Sequence, residues 1–198
     1  MNLAAQAGLS ACYLPAPLAR QAGAQAGATA LLARSAGAAG VMAQRKAVVD
    51  EARSWLRTPY VHMGRRKGAG VDCATLLCEV FERAGVVPHV ELEWYPPDWY
   101  LHRDEERYLV MVGRYAARVL NGRPMPGDIA LYKYGRCVSH GAIVLDWPLV
   151  VHAWRAAGKV VLADAAKAPL SARFHSLWSA WEAAWGRPAP ALQAGRAG

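Results

Sequence analysis

The chain has 198 residues, of which 54% are hydrophobic and eight are tryptophan, and its formal net charge is +8. This length predicts one domain of ordinary size with tails, and the apolar content supplies a core that needs no disulfides. The four cysteines, at positions 12, 73, 78 and 137, follow no framework spacing, which favours reduced thiols.

The positive charge predicts affinity for an anionic surface, such as nucleic acid, anionic lipid or bacterial cell wall. A nucleic-acid partner is not expected, because no run dense in lysine and arginine is interleaved with aromatic residues. A transmembrane segment is not expected either, because no stretch approaches about 18 uninterrupted apolar residues.

The two ends of the chain differ in composition from the middle. Residues 1–45 are rich in Ala, Gly and Gln, contain three arginines and no acidic residue, and are predicted to form a flexible N-terminal arm. The stretch 9–12 resembles a lipoprotein cleavage box, but no basic or apolar region precedes it, so lipid anchoring at Cys12 is not expected. Residues 186–198 are predicted to be a disordered tail, which leaves 46–185 as the working domain.

The first half of this domain has helical spacing in three places. A helix is predicted over 46–57, and a short extended piece over 60–64 leads into a basic, glycine-rich loop. A second helix starts after Asp72, a good N-cap residue, and stops at Gly85. The stretch 86–103 has too many prolines for a helix or a central strand. A third helix is predicted over 104–120.

The second half changes to a period of two. Strands are predicted over 129–133, 138–145, 149–154 and 159–163. A final short helix is predicted from the spacing of Leu177, Trp178, Trp181 and Trp185. Helices first and strands afterwards predict an α+β fold, in which N-terminal helices pack on a C-terminal antiparallel β-sheet.

Cys73 lies at the first turn of the second helix, on the core-facing side with Leu76, Leu77 and Val80. The positive end of the helix dipole favours its thiolate. A lone helical cysteine is more often a small buried hydrophobe, so a catalytic role requires partners elsewhere in the chain.

Two histidines are the candidate partners. His140 and His152 lie on consecutive strands and are symmetric about Asp146, where the hairpin is predicted to turn. His140 is expected to share a face with Val138, Ala142 and Val144. It is also expected to lie directly opposite His152, with Cβ atoms about 5 Å apart. One imidazole then orients the other, so that a base, an orienting group and the Cys73 nucleophile converge.

The other cysteines and histidines have simpler interpretations. Cys78 lies on another face of the helix and is expected to pack in the core. Cys137 and His140 form a C-x-x-H pair that suggests zinc together with His152 and Cys73, but residues three apart on a strand point to opposite faces. No metal or cofactor is therefore expected. The remaining histidines are expected at the surface or in structural roles: His62, His89, His102 and His175.

Five motifs follow one another along residues 46–165. They are Thr58-Pro59-Tyr60, Asp72-Cys73 opening an apolar helix, Gly127-Asp128-Ile129, Ser139-His140-Gly141-Ala142-Ile143-Val144 and His152-Ala153. In this order and at these separations they resemble the NlpC-type papain-like cysteine peptidases of bacteria and phages. The most specific features are the twelve-residue step between the histidines and the tyrosine thirteen residues before the cysteine.

The resemblance implies a papain-like fold and a role for each matching residue. Cys73 is the implied nucleophile, His140 the general base, and His152 the polar residue that orients the base. Tyr60 is implied to line the substrate and oxyanion region, to which the backbone N–H of Cys73 contributes. Asp72 is implied to cap the helix and, in some members, to meet the free amine of the substrate.

The implied reaction is hydrolysis of an amide through a thioester. The family's substrates are peptidoglycan stem peptides, commonly cut between D-glutamate and a diamino acid. Thr75 stands where the family usually has glycine, a departure that removes no reacting group.

Because the stem peptides are anionic, five cations are candidates for attracting them: Arg65, Arg66, Lys67, Lys133 and Arg136. Four aromatic residues are candidates for a groove wall, a docking patch or core packing: Trp94, Tyr95, Trp99 and Tyr100.

The run 95–99 and the acidic helix after it are more similar to the family's phage-tail and prophage members than to its secreted autolysins. This similarity implies a phage virion tail or the host cell envelope as the location, with peptidoglycan and other tail-tip proteins as partners. Two alternatives stay open. One is a structural or plug protein of a tail tip with little turnover, and the other is a papain-like amidase or acyltransferase acting on another amide.

Overall fold

The computed structural model describes residues 38–102, 105–120 and 123–181. Within those ranges, helices pack on a six-stranded antiparallel sheet, which confirms the predicted α+β fold. The helices are α1 (Ala38–Ser54), α2 (Cys73–Arg83), α3 (Trp99–His102) and α4 (Arg107–Gly113). The strands are β1 (Arg65–Arg66), β2 (Gly70–Val71), β3 (Ala117–Arg118), β4 (Ile129–Tyr134), β5 (Cys137–Asp146), β6 (Leu149–Trp154), β7 (Lys159–Asp164) and β8 (Phe174–Ser179). None of these helices is long and apolar enough to cross a bilayer.

The main sheet has the strand order β3-β8-β4-β5-β6-β7, and its neighbouring strands are antiparallel. The main core, which includes Leu76 of α2 and Ile143 of β5, lies on the helical side. A second cluster, which includes Val144 and Leu170, covers the opposite side. Because β5 is covered on both sides, every one of its residues except Asp146 is buried.

The first helix starts earlier than predicted, at Ala38 instead of residue 46. Arg45 accounts for the extension, because its buried guanidinium donates to the Asp128 carboxylate at 2.8 Å and lies over the Trp181 ring. The end of the predicted arm is therefore part of this helix. Residues 1–37 and 182–198, which include Cys12 and the predicted tail, lie outside the described residues.

The cysteine-bearing helix agrees with its prediction. Asp72 is the N-cap of α2, and its carboxylate accepts hydrogen bonds from the backbone N–H groups of Ala74 and Thr75. The Thr75 hydroxyl accepts the backbone N–H of Asp72 at 2.9 Å, which completes a reciprocal capping box. The helix ends at Arg83, and Gly85 follows with φ of +68°, a conformation that favours glycine.

Two predicted helices differ from the structure. The helix predicted over 104–120 is limited to α4, because Ala117–Arg118 forms strand β3 and pairs with β8. The predicted final helix is wrong, because Phe174–Ser179 forms strand β8 against β4. The spacing of the apolar residues is compatible with a helix, but pairing along β4 satisfies the backbone hydrogen bonds of both strands and overrides the local pattern.

The hairpin between β5 and β6 turns one residue later than predicted. Ile143 pairs with Val151 and Val144 with Val150, so the turn is centred on Trp147 and Pro148 instead of on Asp146. Continued in the same register, β5 places Ala142 opposite His152. The two active-site histidine candidates are therefore diagonal neighbours, not the directly opposed pair that was predicted.

A β-bulge at Ser139 changes the faces of β5. Tyr132 pairs with His140, and the next residue, Lys133, pairs with Val138, so Ser139 is the extra residue. Val138 consequently packs in the main core under the helices, whereas Ala142 and Val144 pack in the second cluster. The prediction that Val138 shares a face with the residues after His140 is wrong for this reason.

Candidate active site

The Cys73 side chain lies against strand β5. Cys73 is the first residue of α2, and its half-buried Sγ lies 3.6 Å from the Ser139 carbonyl oxygen. The backbone N–H of Gly141 acts to lower the pKa of the Cys73 thiol, although burial outweighs it. Since Ser139 and Gly141 flank His140, the sulfur lies beside the backbone that carries the predicted base.

The two histidines form a buried pair. Nε2 of His140 lies 2.8 Å from Nδ1 of His152, and the side chains of both are buried. The His140 ring also packs against Tyr134 and Trp154, with centroid distances of 5.5 Å in both cases. These contacts fix the His140 ring on the side of β5 that carries the second cluster, and leave its Nδ1 as the nitrogen that His152 does not use. Among the described residues, no hydrogen bond joins the Cys73 sulfur to either imidazole, so the structure brings the two histidines together but does not place a ring on the sulfur.

Burial decides the charge state of these groups. Burial raises the pKa of the Cys73 thiol, and the neighbouring Asp72 carboxylate raises it further. Burial lowers the pKa of His140 well below 6.5, with a further contribution from His152, and lowers the pKa of His152 to about 4. The resting site thus holds a thiol and two neutral imidazoles. The thiolate expected from the helix dipole is outweighed by desolvation and by the charge of Asp72.

The Asp72 carboxylate is fully engaged within the protein. Besides the helix-cap bonds, Oδ2 accepts the backbone N–H of Met63 at 2.8 Å and the Tyr95 hydroxyl at 2.7 Å. His62 Nδ1 lies 3.5 Å from the same oxygen. Asp72 is only 1% exposed. Its role in this structure is to cap α2 and anchor the surrounding loops, among them the segment between α2 and α3 that carries Tyr95.

Tyr60 lies at the edge of the site. Its backbone N–H donates to the Gly158 carbonyl oxygen at 2.8 Å, and it forms an isolated parallel bridge with Val71. Burial raises the pKa of the Tyr60 phenol, and the negative charges of Cys73 and Asp72 raise it further, so the hydroxyl stays protonated at neutral pH. A protonated hydroxyl in this position suits a hydrogen-bond donor to substrate.

A cavity of about 380 Å³ opens beside Cys73 and Ser139. The segment between α2 and β3 forms most of its wall, through apolar and aromatic side chains: Val90, Leu92, Tyr95, Trp99, Tyr108, Val110, Met111 and Tyr115. Charged residues also line it: Glu91, Glu93, Glu105, Glu106, Arg107 and Arg114. The volume is within the range of small-molecule sites, and the wall is largely apolar.

The predicted basic residues lie elsewhere. Arg65 donates to Glu79 at 2.7 Å and to Glu82 at 3.2 Å, and Lys67 pairs with Glu51 at 2.7 Å. The other three are exposed: Arg66, Lys133 and Arg136. None of the five lines the cavity in the described ranges, so direct contact with substrate stays a prediction.

The predicted aromatic residues are divided between the cavity and the surface. Trp99 is 7% exposed and lines the cavity, whereas Trp94 is 70% exposed and does not. Tyr95 lines the cavity and donates to Asp72. Tyr100 is half-buried against the main core.

Sequence reasoning missed Tyr108. Its buried hydroxyl donates to the Cys73 carbonyl oxygen at 3.0 Å and acts to lower the pKa of the Cys73 thiol, against the larger effect of burial. The sequence signal was only an apolar position in a predicted helix. A contact between residues 35 positions apart depends on how α4 docks on α2, which the local pattern does not specify.

The remaining candidates have structural surroundings. Cys78 is buried with its sulfur 4.0 Å from that of Met111, and Cys137 lies in the main core. His89 pairs with Glu82 at 2.7 Å. Within residues 38–102, 105–120 and 123–181, no group of three or more His, Cys, Asp or Glu side chains is arranged to hold a metal ion.

Several solved structures have a similar fold. The NlpC/p60 domain of the peptidoglycan hydrolase SagA has a TM-score of 0.50 and 19% identity, covering 68% of this chain and 97% of that chain. The peptidoglycan hydrolase RipB of Mycobacterium tuberculosis has a TM-score of 0.51 and 21% identity, covering 83% of this chain and 85% of that chain. An NlpC/P60 family protein of Bacillus cereus has a TM-score of 0.51 and 16% identity, covering 67% of this chain and 39% of that chain.

At the level of sequence, no family model and no curated protein matches the chain. The similarity therefore lies in the three-dimensional arrangement of the helices and the antiparallel sheet. The chain has the papain-like fold of the NlpC/p60 domains.

Proposed function

We propose that the protein is a cysteine peptidase that hydrolyses peptide bonds in bacterial peptidoglycan, with Cys73, His140 and His152 as its catalytic residues. The observation that carries this proposal is the position of the Cys73 sulfur beside the backbone of His140, whose ring is bound at 2.8 Å to His152. The fold shared with the peptidoglycan hydrolases SagA and RipB supports the choice of substrate.

The hydrogen bond between the histidines suits a base that accepts a proton from a neutral thiol. When His140 Nε2–H donates to His152 Nδ1, the other nitrogen of His140 carries a free lone pair. In the proposed reaction that nitrogen takes the thiol proton, through a bridging water molecule or after the ring moves toward the sulfur, while the sulfur attacks the substrate carbonyl. The backbone N–H of Cys73 and the Tyr60 hydroxyl are the donors proposed for the oxyanion.

The second half of the reaction returns the proton. His140 transfers it to the leaving amine as the C–N bond breaks, which leaves the acyl group on Cys73 as a thioester. His140 then accepts a proton from a water molecule that attacks the thioester, and the thiol leaves with that proton. His152 stays hydrogen-bonded to His140 throughout. This bond stabilises the positive charge that His140 carries transiently.

More specifically, we propose that the enzyme cleaves the bond between D-glutamate and a diamino acid in the stem peptide. The proposed location of the protein is a phage tail or the host cell envelope. The exposed cations Arg66, Lys133 and Arg136 are the groups proposed to attract the anionic polymer from solution. These parts of the proposal rest on the family resemblance of the motifs.

A second candidate function is favoured by the cavity beside Cys73. Its apolar wall and its four glutamates suit an amide with a large apolar group more closely than a small anionic peptide. On this alternative the same residues act as an amidase or acyltransferase on another amide, and the chemistry at Cys73 is unchanged.

Digestion of purified peptidoglycan tests the proposal, with released fragments identified by mass spectrometry. We expect cut stem peptides from the wild type and none from Cys73→Ala. Cys78→Ala is a matched control, because burial raises the pKa of that thiol to about 12 and it lies on another face of α2. No cut stem peptide from any protein, alongside turnover of a synthetic acyl-amide, would support the second candidate. Inactivity toward both substrates would favour a structural role.

A further inference from the structure

The hydroxyl of Tyr108 lies beside the backbone of the nucleophile. Tyr108 lies on α4, in the segment that walls the cavity, and is 5% exposed. Its Oη donates to the Cys73 carbonyl oxygen at 3.0 Å and acts to lower the pKa of the thiol of the same residue. The hydroxyl is thus held on the backbone of the residue that carries the sulfur.

Gly141 makes room for this hydroxyl. A Cβ atom at position 141 would lie 2.6 Å from Tyr108 Oη and 2.9 Å from Leu77 Cδ1, and both distances are shorter than normal contacts. The N–H of Gly141 also acts to lower the pKa of the Cys73 thiol. The absence of a side chain at this strand position thus lets the Tyr108 hydroxyl approach the β5 backbone beside Cys73.

The sulfur needs such donors when it loses its proton. In the resting site the thiol lies against the Ser139 carbonyl oxygen, an acceptor that favours the protonated form. The Asp72 carboxylate, next in the chain, also opposes a negative sulfur. A hydroxyl that turns from the Cys73 carbonyl oxygen to the thiolate offsets both effects, because hydrogen bonds to charged groups are stronger than those to neutral ones.

We propose that Tyr108 is a positioning residue that holds the Cys73 side chain and donates its hydroxyl hydrogen to the sulfur when the thiol proton moves to His140. This inference rests on the proposed cysteine chemistry. Tyr108 keeps its own proton during the step, since burial and the negative charges of Cys73 and Asp72 raise its pKa well above 10.0. The segment between α2 and β3, which forms most of the cavity wall, thereby also influences the reactivity of the nucleophile.

Alkylation of Cys73 by iodoacetamide, followed from pH 5 to pH 10, tests this proposal without any substrate. Labelling is read at Cys73 by peptide mass spectrometry. For Tyr108→Phe we expect the rise of the labelling rate with pH to move upward by about one pH unit, which makes the rate about tenfold lower at each pH below the midpoint. The ring remains, so the cavity wall keeps its shape.

Tyr132→Phe is the matched control. Tyr132 is fully buried, its hydroxyl has no hydrogen-bond partner among the described residues, and it lies in the second cluster. Its removal should leave the labelling profile of Cys73 unchanged. Gly141→Ala provides a second variant, since the added methyl group displaces the Tyr108 hydroxyl, and we expect the same upward shift.

Thermal unfolding establishes that each variant is folded before labelling. A folded Tyr108→Phe protein with the wild-type labelling profile would overturn the proposal, as would an equal shift in Tyr132→Phe. Should Tyr108→Phe not fold, the Gly141→Ala profile decides in the same way. Labelling requires no peptidoglycan. Failure to cleave the polymer would therefore count against the proposed function but would not change the outcome of the labelling test of Tyr108.

Discussion

Nε2 of His140 lies 2.8 Å from Nδ1 of His152, although the register of their strands makes the two residues diagonal neighbours. The rings meet at 74° with their centroids 5.0 Å apart. The bond occupies one nitrogen of each ring in a buried setting, where an unpaired nitrogen is costly. The hairpin between β5 and β6 therefore determines which nitrogen of His140 is available to accept a proton.

Replacement of His152 tests this orienting role. We expect His152→Ala to lower kcat/KM by about 100-fold, because His140 loses the partner that fixes its tautomer and ring angle. His152→Asn should recover part of the loss, since its side-chain oxygen can accept the bond from Nε2. Steady-state kinetics on a synthetic stem peptide measure both variants. Equal activity of His152→Ala and the wild type would contradict the role.

The acid limb of the pH–rate profile follows from the burial of His140. Its pKa lies well below 6.5, and the base acts only as the neutral imidazole. Protonation that removes activity should therefore begin only as the pH falls below that value, and kcat/KM should still be near its maximum at pH 6.5. An acid limb with its midpoint at or above pH 6.5 would show that His140 is not the base or is not desolvated.

The buried ion pair of Arg45 predicts a large effect on stability. Arg45→Ala leaves the Asp128 carboxylate, which is 2% exposed, without its cation. We expect the free energy of unfolding in urea to fall by about 3 kcal/mol. Lys46→Ala is the matched control, since the adjacent Lys46–Asp50 pair is exposed and its loss should cost less than about 0.5 kcal/mol. Similar losses in the two variants would count against a structural role for Arg45.

Thr75 occupies the position where the NlpC-type peptidases, which the motifs of this chain resemble, usually have glycine. Its hydroxyl accepts the Asp72 N–H and donates to the Asp72 carboxylate, each at 2.9 Å. Thr75→Gly should lower the free energy of unfolding by about 1–2 kcal/mol, because the capping box is lost and glycine is a poor helix former. Thr75→Ser retains the hydroxyl and should lie within about 0.5 kcal/mol of the wild type. A glycine variant as stable as the wild type would be inconsistent with this account.

Features set by short stretches of sequence were predictable. Asp72 as N-cap and Cys73 in the first turn follow from side-chain chemistry within a few residues, and the strands around the β5–β6 hairpin follow from their period of two. The order of helices and strands was sufficient for the α+β class. Such features need no knowledge of the distant chain.

Features set by contacts between distant residues were not predictable. The start of α1 depends on Arg45 reaching Asp128, and β8 forms a strand because β4 offers it an edge. The bulge at Ser139 shifts the faces of β5 by one residue. The contact of Tyr108 with Cys73 likewise depends on how α4 packs against α2. The pKa of the Cys73 thiol depends on tertiary packing too, because burial raises it more than the helix dipole lowers it.

The central claim is that Cys73 carries the acyl group during amide hydrolysis. Intact-protein mass spectrometry of His152→Ala, quenched in acid during turnover of a synthetic stem peptide, tests it most directly. We predict a mass increase equal to the acyl half of the peptide, located on Cys73 after digestion and absent from a Cys73→Ala, His152→Ala protein. Cleavage of the peptide without an adduct, or an adduct on another residue, would contradict the account.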